Sequence, residues 1–193
     1  MHGLETFGIS ALLVALAEMG DRTQLLTILL ASRYRKPLAI LLGVLAATLA
    51  NHVLAALAGY YVGSLLDAKW FHALIGLSFI AMAGWALIPD KAAEDGAAKS
   101  HGGVFLTTLI AFFIVEMGDK TQIATVALAA RFSNVFIVAL GTTTGMMLAN
   151  IPAAYFGQAV TRMMPMSVMR IVSAAIYTVL GVASLLETAG YLG

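Results

Sequence analysis

The residues best equipped for chemistry stand in the segment Glu18-Met19-Gly20-Asp21-Arg22-Thr23-Gln24. The same order returns in the second half as Glu116-Met117-Gly118-Asp119-Lys120-Thr121-Gln122. Each copy lies in the middle of an apolar run long enough to cross a membrane. A carboxylate there costs about 2.5–3.5 kcal/mol on insertion scales, so four acids in two matching sets imply a cation to hold. On a continuous helix, Glu18 and Asp21 share a face and Gln24 extends the row, as do Glu116, Asp119 and Gln122. Gly20 and Gly118 weaken the helix inside each motif and permit a local break lining a cavity. The resulting ligand set is all oxygen. It suits Mn²⁺, Ca²⁺ or Mg²⁺ better than Zn²⁺ or Cu⁺, which recruit His or Cys, and ligand type alone leaves Mn²⁺ and Ca²⁺ open.

Charge narrows the use of such a site. Four acids with Arg22 and Lys120 sum to −2, which one divalent ion neutralises. Protons compete for the same carboxylates, the minimal chemistry of an exchanger. Arg22 and Lys120 cannot ligate a cation and are expected to pair with a motif acid or a helix-end carbonyl. Thr23 and Thr121 are expected to bond their own helix backbone, with direct ligation the lesser reading. Asn51 and Asn150 are equivalent and mid-helix, open between a ligand or gate and plain interhelical bonding. His52 has no counterpart in the second half, where Ile151 stands, and reads as packing. The loop acids Asp90, Glu94 and Asp95 read as solvated, with a regulatory cation site there a minor reading.

The elements that must position these residues are transmembrane helices. The 193-residue chain is 61% hydrophobic and 11% charged, against about 25% charged in soluble domains, and its mean hydropathy is +0.92. It has no cysteine, which excludes disulfides and thiolate chemistry. Nothing suggests nucleic acid. The first apolar stretch carries Glu18 and Asp21 and lacks a basic preface, so it reads as a retained helix rather than a signal peptide. Six runs are marked, over residues 4–32, 37–66, 70–88, 104–131, 135–160 and 168–187, each able to span about 30 Å of hydrocarbon.

The fold expected is therefore all-α and polytopic. Residues 1–89 form one three-helix unit, 90–103 a cytoplasmic linker and 104–193 a second unit, together one integral membrane domain without a soluble catalytic part. Thr27 matches Thr125, Arg33 matches Arg131, Gly43 matches Gly141, and Ala50-Asn51 falls on Ala149-Asn150. An odd number of helices per unit makes the repeats inverted and brings both motifs to one depth, hence to one midplane site. Gly59-xxx-Gly63 and Gly141-xxx-Gly145 read as close-packing faces, and Pro152 as a kink. Lysine and arginine counts favour both termini outside and the linker inside.

The paired Glu-x-Gly-Asp-Lys/Arg-Thr segments resemble the hallmark of the Gdt-type cation exchanger family, and the resemblance covers the whole chain. That family includes Golgi manganese/calcium transporters of eukaryotes and manganese exporters of bacteria. The resemblance implies export of a divalent cation from the cytosol coupled to proton uptake. It makes Glu18, Asp21, Glu116 and Asp119 ligands and asks for no prosthetic group. Compact loops resemble bacterial members, which points to a multi-pass protein of the inner membrane with Mn²⁺ as main substrate and Ca²⁺ second. The oligomeric state stays open, a homodimer included. Two rivals are weighed. An exporter of small organic cations or amino acids would need apolar or carboxylate-binding features that the acid cluster lacks. An intramembrane aspartyl protease would need a dyad sharing one proton, without the added Glu and base at each Asp.

Overall fold

Each long apolar run that carries a motif is cut at the motif. In the computed structural model, which describes residues 2–65, 68–88, 102–157, 159 and 166–189, the first run becomes α1 (His2–Glu18) and α2 (Arg22–Tyr34). The fourth becomes α5 (Val104–Glu116) and α6 (Lys120–Phe132). Between and after them come α3 (Pro37–Leu65), α4 (Ala68–Ala86), α7 (Val135–Phe156) and α8 (Met166–Thr188). All regular structure among the described residues is helical. The second half thus repeats the element order of the first, down to the helix ends. Arg35 closes α2 in the left-handed region with its N–H on the Ala31 carbonyl, and Ser133 closes α6 in the same way on Ala129.

Among the described residues, three helices are long and apolar enough to cross a membrane: Pro37–Ser64, Val135–Phe156 and Ser167–Thr188. A fourth crossing follows if α1 and α2, bent by 67° at their break, count as one span. Six such runs were expected from the sequence. For two of the three remaining runs the cause is physical: the breaks leave α1, α2, α5 and α6 with 13 to 17 residues. At about 1.5 Å rise per residue that is roughly 20–26 Å, short of the hydrocarbon core. The linker acids Asp90, Glu94 and Asp95 lie outside the described residues.

The distribution of polarity suits a lipid surround. Leu12, Leu42, Leu49, Leu74, Ile114, Leu148, Ile171 and Val179 face outward, whereas Ser10, Thr27, Thr48, Asn51, Thr108, Asn150 and Ser184 are buried. Many buried polar side chains bond inside the bundle, as hydrocarbon requires, whereas Ser10, Glu18, His52, Thr143 and Tyr177 each keep a side-chain N or O without a hydrogen-bond partner among the described residues. The apolar core joins Leu13 and Val14 of α1, Leu26 of α2, Val44 of α3, Phe79 of α4, Phe112 of α5, Leu128 of α6 and Met146 of α7.

Packing crosses between the halves. Helix α1 runs along α7, α3 along α5 and α6, and α4 along α8. Small residues allow these approaches. A Cβ on Gly145 would sit 2.4 Å from the Ala11 carbonyl oxygen, and one on Gly59 would sit 2.1 Å from that of Val126. Both obstacles are backbone and cannot swing aside. Gly141 meets Phe7 and Ser10 in the same way, so the expected close-packing faces are present at Gly59, Gly141 and Gly145. A bidentate pair, Arg131 to Glu187 at 2.8 Å for each bond, ties the end of α6 to the end of α8.

Candidate metal centre

The break inside each motif is built the same way. Gly20 (φ 86°) and Gly118 (φ 77°) occupy the left-handed region, where a side chain would cost about 1–2 kcal/mol. Asp21 and Asp119 follow as extended N-cap residues of α2 and α6. Three residues on, the glutamine reaches back. Gln24 Oε1 accepts from the Gly20 N–H at 2.9 Å, and Gln122 Oε1 accepts from the Gly118 N–H at 2.6 Å. This is a capping box shifted by one residue. Neither Asp caps its own helix through its side chain, so both carboxylates are left for other work.

The continuous helical row of Glu18, Asp21 and Gln24 is thereby replaced. The Glu ends one helix, the Asp begins the next, and the alternative reading of the glycines as a break site holds. Electrostatics favour charge at this junction. The C-terminus of α1 carries partial negative charge and suits a cation, while the N-terminus of α2 supports the Asp carboxylate.

The two motifs meet. Arg22 Nη2 donates to Asp119 Oδ1 at 2.8 Å across the halves, with the Asp119 side chain 2% exposed and the Arg22 side chain 34% exposed. Glu18, Asp21 and Asp119 each bring one carboxylate oxygen within 4.8 Å of the others, and all three are buried. Opposite ligands on a Ca²⁺ ion stand roughly 4.6–5.2 Å apart and adjacent ones closer, with a smaller ion drawing them in further. One hard divalent ion therefore fits these three oxygens. Glu18 Oε2 accepts from the Thr23 hydroxyl, whereas Glu18 Oε1 has no hydrogen-bond partner among the described residues.

Glu116 is buried but stands outside that trio. Thr48 Oγ1 donates to its Oε1 at 2.8 Å and Asn51 Nδ2 to its Oε2 at 3.3 Å. Asn51 also donates to the Phe113 carbonyl at 3.2 Å. Asn150 serves the other half differently: its Oδ1 accepts from Thr27, and its Nδ2 donates to the Met146 carbonyl at 3.0 Å. Gln24 Nε2 adds a bond to the Ala149 carbonyl at 2.9 Å. So α2 is stitched to α7, and α5 to α3.

The supporting residues resolve as follows. Arg22 pairs with a motif acid, and Lys120 Nζ donates to the Ile88 carbonyl at the end of α4, 3.1 Å away. Lys120 also lies over the Trp85 ring at 5.9 Å. Thr23 bonds Glu18, and Thr121 Oγ1 reaches Asp119 Oδ2 at 3.4 Å, rather than their own helix backbone. That back-bonding belongs instead to Thr27 and Thr125. His52 is buried, and neither ring nitrogen has a hydrogen-bond partner among the described residues.

Sequence reasoning missed Thr48 and Thr27. Thr48 stands three residues before Asn51 on one helix face, a signal available in the spacing.

Known proteins resemble this chain along most of its length. A family model described as the divalent cation/proton antiporter GDT1 matches residues 6–94 and 104–191. A Vibrio cholerae protein named "Putative manganese exporter" is 44% identical over 95% of this chain and 92% of its own length. An Arabidopsis thaliana GDT1-like protein is 25% identical over 96% of this chain and 97% of its own length. A GDT1-like protein of Synechocystis is 29% identical over 80% and 84%. No solved structure matches. The family is one of transporters and not of enzymes, which sets the protease reading aside. The chain belongs to the GDT1 family of divalent cation/proton antiporters.

Proposed function

We propose that the protein exports Mn²⁺ from the bacterial cytoplasm in exchange for protons, with Ca²⁺ as second substrate, through one carboxylate site. The observation that carries this reading is the convergence of Glu18, Asp21 and Asp119, from both motifs, on one buried spot. Gln24 and Gln122 complete the proposed oxygen set in this conformer, and Glu116 joins it in the alternate arrangement of the repeats. Each glutamine oxygen keeps a second lone pair beyond its bond to glycine. Mn²⁺ comes first because the Vibrio relative is named as a manganese exporter.

The proposed membrane arrangement is six crossings as two inverted three-helix units. In it, α1–α2 and α5–α6 each make one bent crossing, and the site lies near the midplane. The repeated element order and the cross-half Arg22–Asp119 pair support it. Lysine and arginine counts put both termini outside and the central linker in the cytoplasm.

The test is a proteoliposome loaded with a pH dye, with Mn²⁺, Ca²⁺ or Mg²⁺ added outside. Mn²⁺ is expected to move protons fastest. Absence of proton movement with all three would sink the exchanger reading. Inhibition of Mn²⁺ flux by amino acids or organic amines would favour the organic-cation alternative.

Arg22 offers a separate check. Its guanidinium and the metal compete for Asp119, so Arg22→Gln should leave a buried carboxylate unpaired in metal-free protein. Breaking a buried pair costs about 3–5 kcal/mol, and the exposure of Arg22 reduces this to about 1–2 kcal/mol. Thermal melts are expected to show the loss without metal and to close the gap with saturating Mn²⁺. A deficit of equal size with and without Mn²⁺ would mean that the pair is unrelated to the site.

A further inference from the structure

Helix α7 packs on α1 in the same register as α3 packs on α5. A Cβ on Gly141 would sit 2.8 Å from both the Phe7 carbonyl oxygen and the Ser10 side chain. One on Gly43 would sit 2.8 Å from the Phe105 carbonyl oxygen and 2.7 Å from the Thr108 side chain. Phe7 and Ser10 hold the places in α1 that Phe105 and Thr108 hold in α5. Both α3 and α7 run on from their glycines as helix, so residues equally far from Gly43 and Gly141 are spatial counterparts. Asn150 stands nine residues after Gly141, and His52 stands nine after Gly43. In the packed helices His52 is therefore the counterpart of Asn150, which the sequence pattern matched to Asn51.

These counterparts are served differently. Asn150 Oδ1 accepts from Thr27 of α2. Thr125 of α6 matches Thr27, but its hydroxyl donates to the Thr121 carbonyl of its own helix, 2.7 Å away. His52 is 1% exposed, with both ring nitrogens unpartnered among the described residues. A buried polar group left so costs about 1–3 kcal/mol, a cost that a leucine would avoid. The helices also meet at different levels. A Cβ on Gly59 would sit 2.1 Å from the Val126 carbonyl oxygen, whereas one on its counterpart Gly157 would meet nothing within 4 Å. So α7 and α2 have the bond at Asn150 without a close approach at Gly157. Conversely, α3 and α6 have the close approach at Gly59 without a bond at His52. Two docking positions are thus present at once, one in each half.

Resting on the exchanger reading and its exchanging repeats, we propose that His52 is the positioning residue that receives Thr125 in the alternate arrangement. There the Thr125 hydroxyl leaves the Thr121 carbonyl and donates to the acceptor nitrogen of the neutral ring. Helix α6 takes on α3 the docking that α2 has on α7, and Glu116 is released toward the cation. His52 acts through the position of α6 and does not touch the ion.

Point variants and cysteine pairs test this. His52→Leu is expected to lower Mn²⁺ flux in proteoliposomes roughly tenfold, the worth of one good hydrogen bond. Mn²⁺ affinity of the purified variant should stay within threefold of wild type. His52→Asn, which installs the residue of the other half, is expected to restore most of the flux, and Thr125→Val should add no further loss to His52→Leu. Plain packing would favour leucine over asparagine, so flux kept in His52→Leu and lost in His52→Asn would overturn the proposal. In a chain without cysteine, Thr27→Cys with Asn150→Cys is expected to bridge on mild oxidation. Thr125→Cys with His52→Cys should also bridge in membranes, which needs the two Cα atoms within about 7 Å, and should stop flux until reduced. A bridge in the first pair and none in the second would refute the alternate docking. Bridging in both pairs, with no proton movement by wild type, would keep that docking and sink the exchanger. Proton movement by wild type with full flux in His52→Leu would do the reverse.

Discussion

Glu18→Gln is expected to weaken Mn²⁺ binding at least about 100-fold while the protein still folds. Loss of a group that merely supports a metal ligand costs 10–100-fold in affinity, so loss of a direct ligand should reach at least the upper figure. Glu18 is fully buried, and one of its oxygens is left without a hydrogen bond beside two further carboxylates. Glutamine keeps an oxygen to accept the Thr23 hydroxyl, and it removes a charge from a crowded acidic site. Metal-free stability should therefore not fall. Titration of purified protein with Mn²⁺, read by calorimetry or by the loss of the free Mn²⁺ resonance signal, measures the affinity. A dissociation constant within threefold of wild type would remove Glu18 from the site.

Glu116→Gln should behave differently. Binding in this conformer is expected to change less than tenfold, because Glu116 is held by Thr48 and Asn51 outside the three converging oxygens. Glutamine can keep both bonds, since the Thr48 hydroxyl can turn to accept. Proton-coupled Mn²⁺ flux is nonetheless expected to fall at least about 100-fold. The repeated element order makes a second arrangement available, in which Glu116 takes the place that Glu18 holds here. Alternating access by repeats that exchange shape would then need both glutamates in turn. Flux at the wild-type rate in Glu116→Gln would refute this. Binding lost as severely as in Glu18→Gln would instead make Glu116 a direct ligand in the present conformer.

The contrast between these two glutamates shows where sequence reasoning stops. They occupy equivalent positions in motifs that differ only at Arg22 and Lys120, both buried, both at a helix C-terminus. Their partners come from α2 in one case and α3 in the other. Nothing local distinguishes them, because the difference arises from how α5 lies against α3. Arg22 and Lys120 diverge in the same manner. Each was expected to find an acid or a helix-end carbonyl, and each did, but long-range packing alone chose which.

What the chain determined by itself was local or compositional. Apolar runs made helices, the glycines at positions 20 and 118 made breaks possible, and the duplicated acids supplied candidate ligands for a hard cation, a matter of residue type. Helix continuity through each motif stayed open in the sequence, because spacing three apart is compatible with either a shared face or a junction. Only the tertiary structure decided that Glu18, Asp21 and Asp119 converge while Glu116 stands aside. The physical reason is distance along the backbone. Periodicity reports which side a residue takes on its own helix. Which helices touch, and at what height, is set by close approaches such as Gly145 on Ala11 and Gly59 on Val126, which join residues remote in sequence.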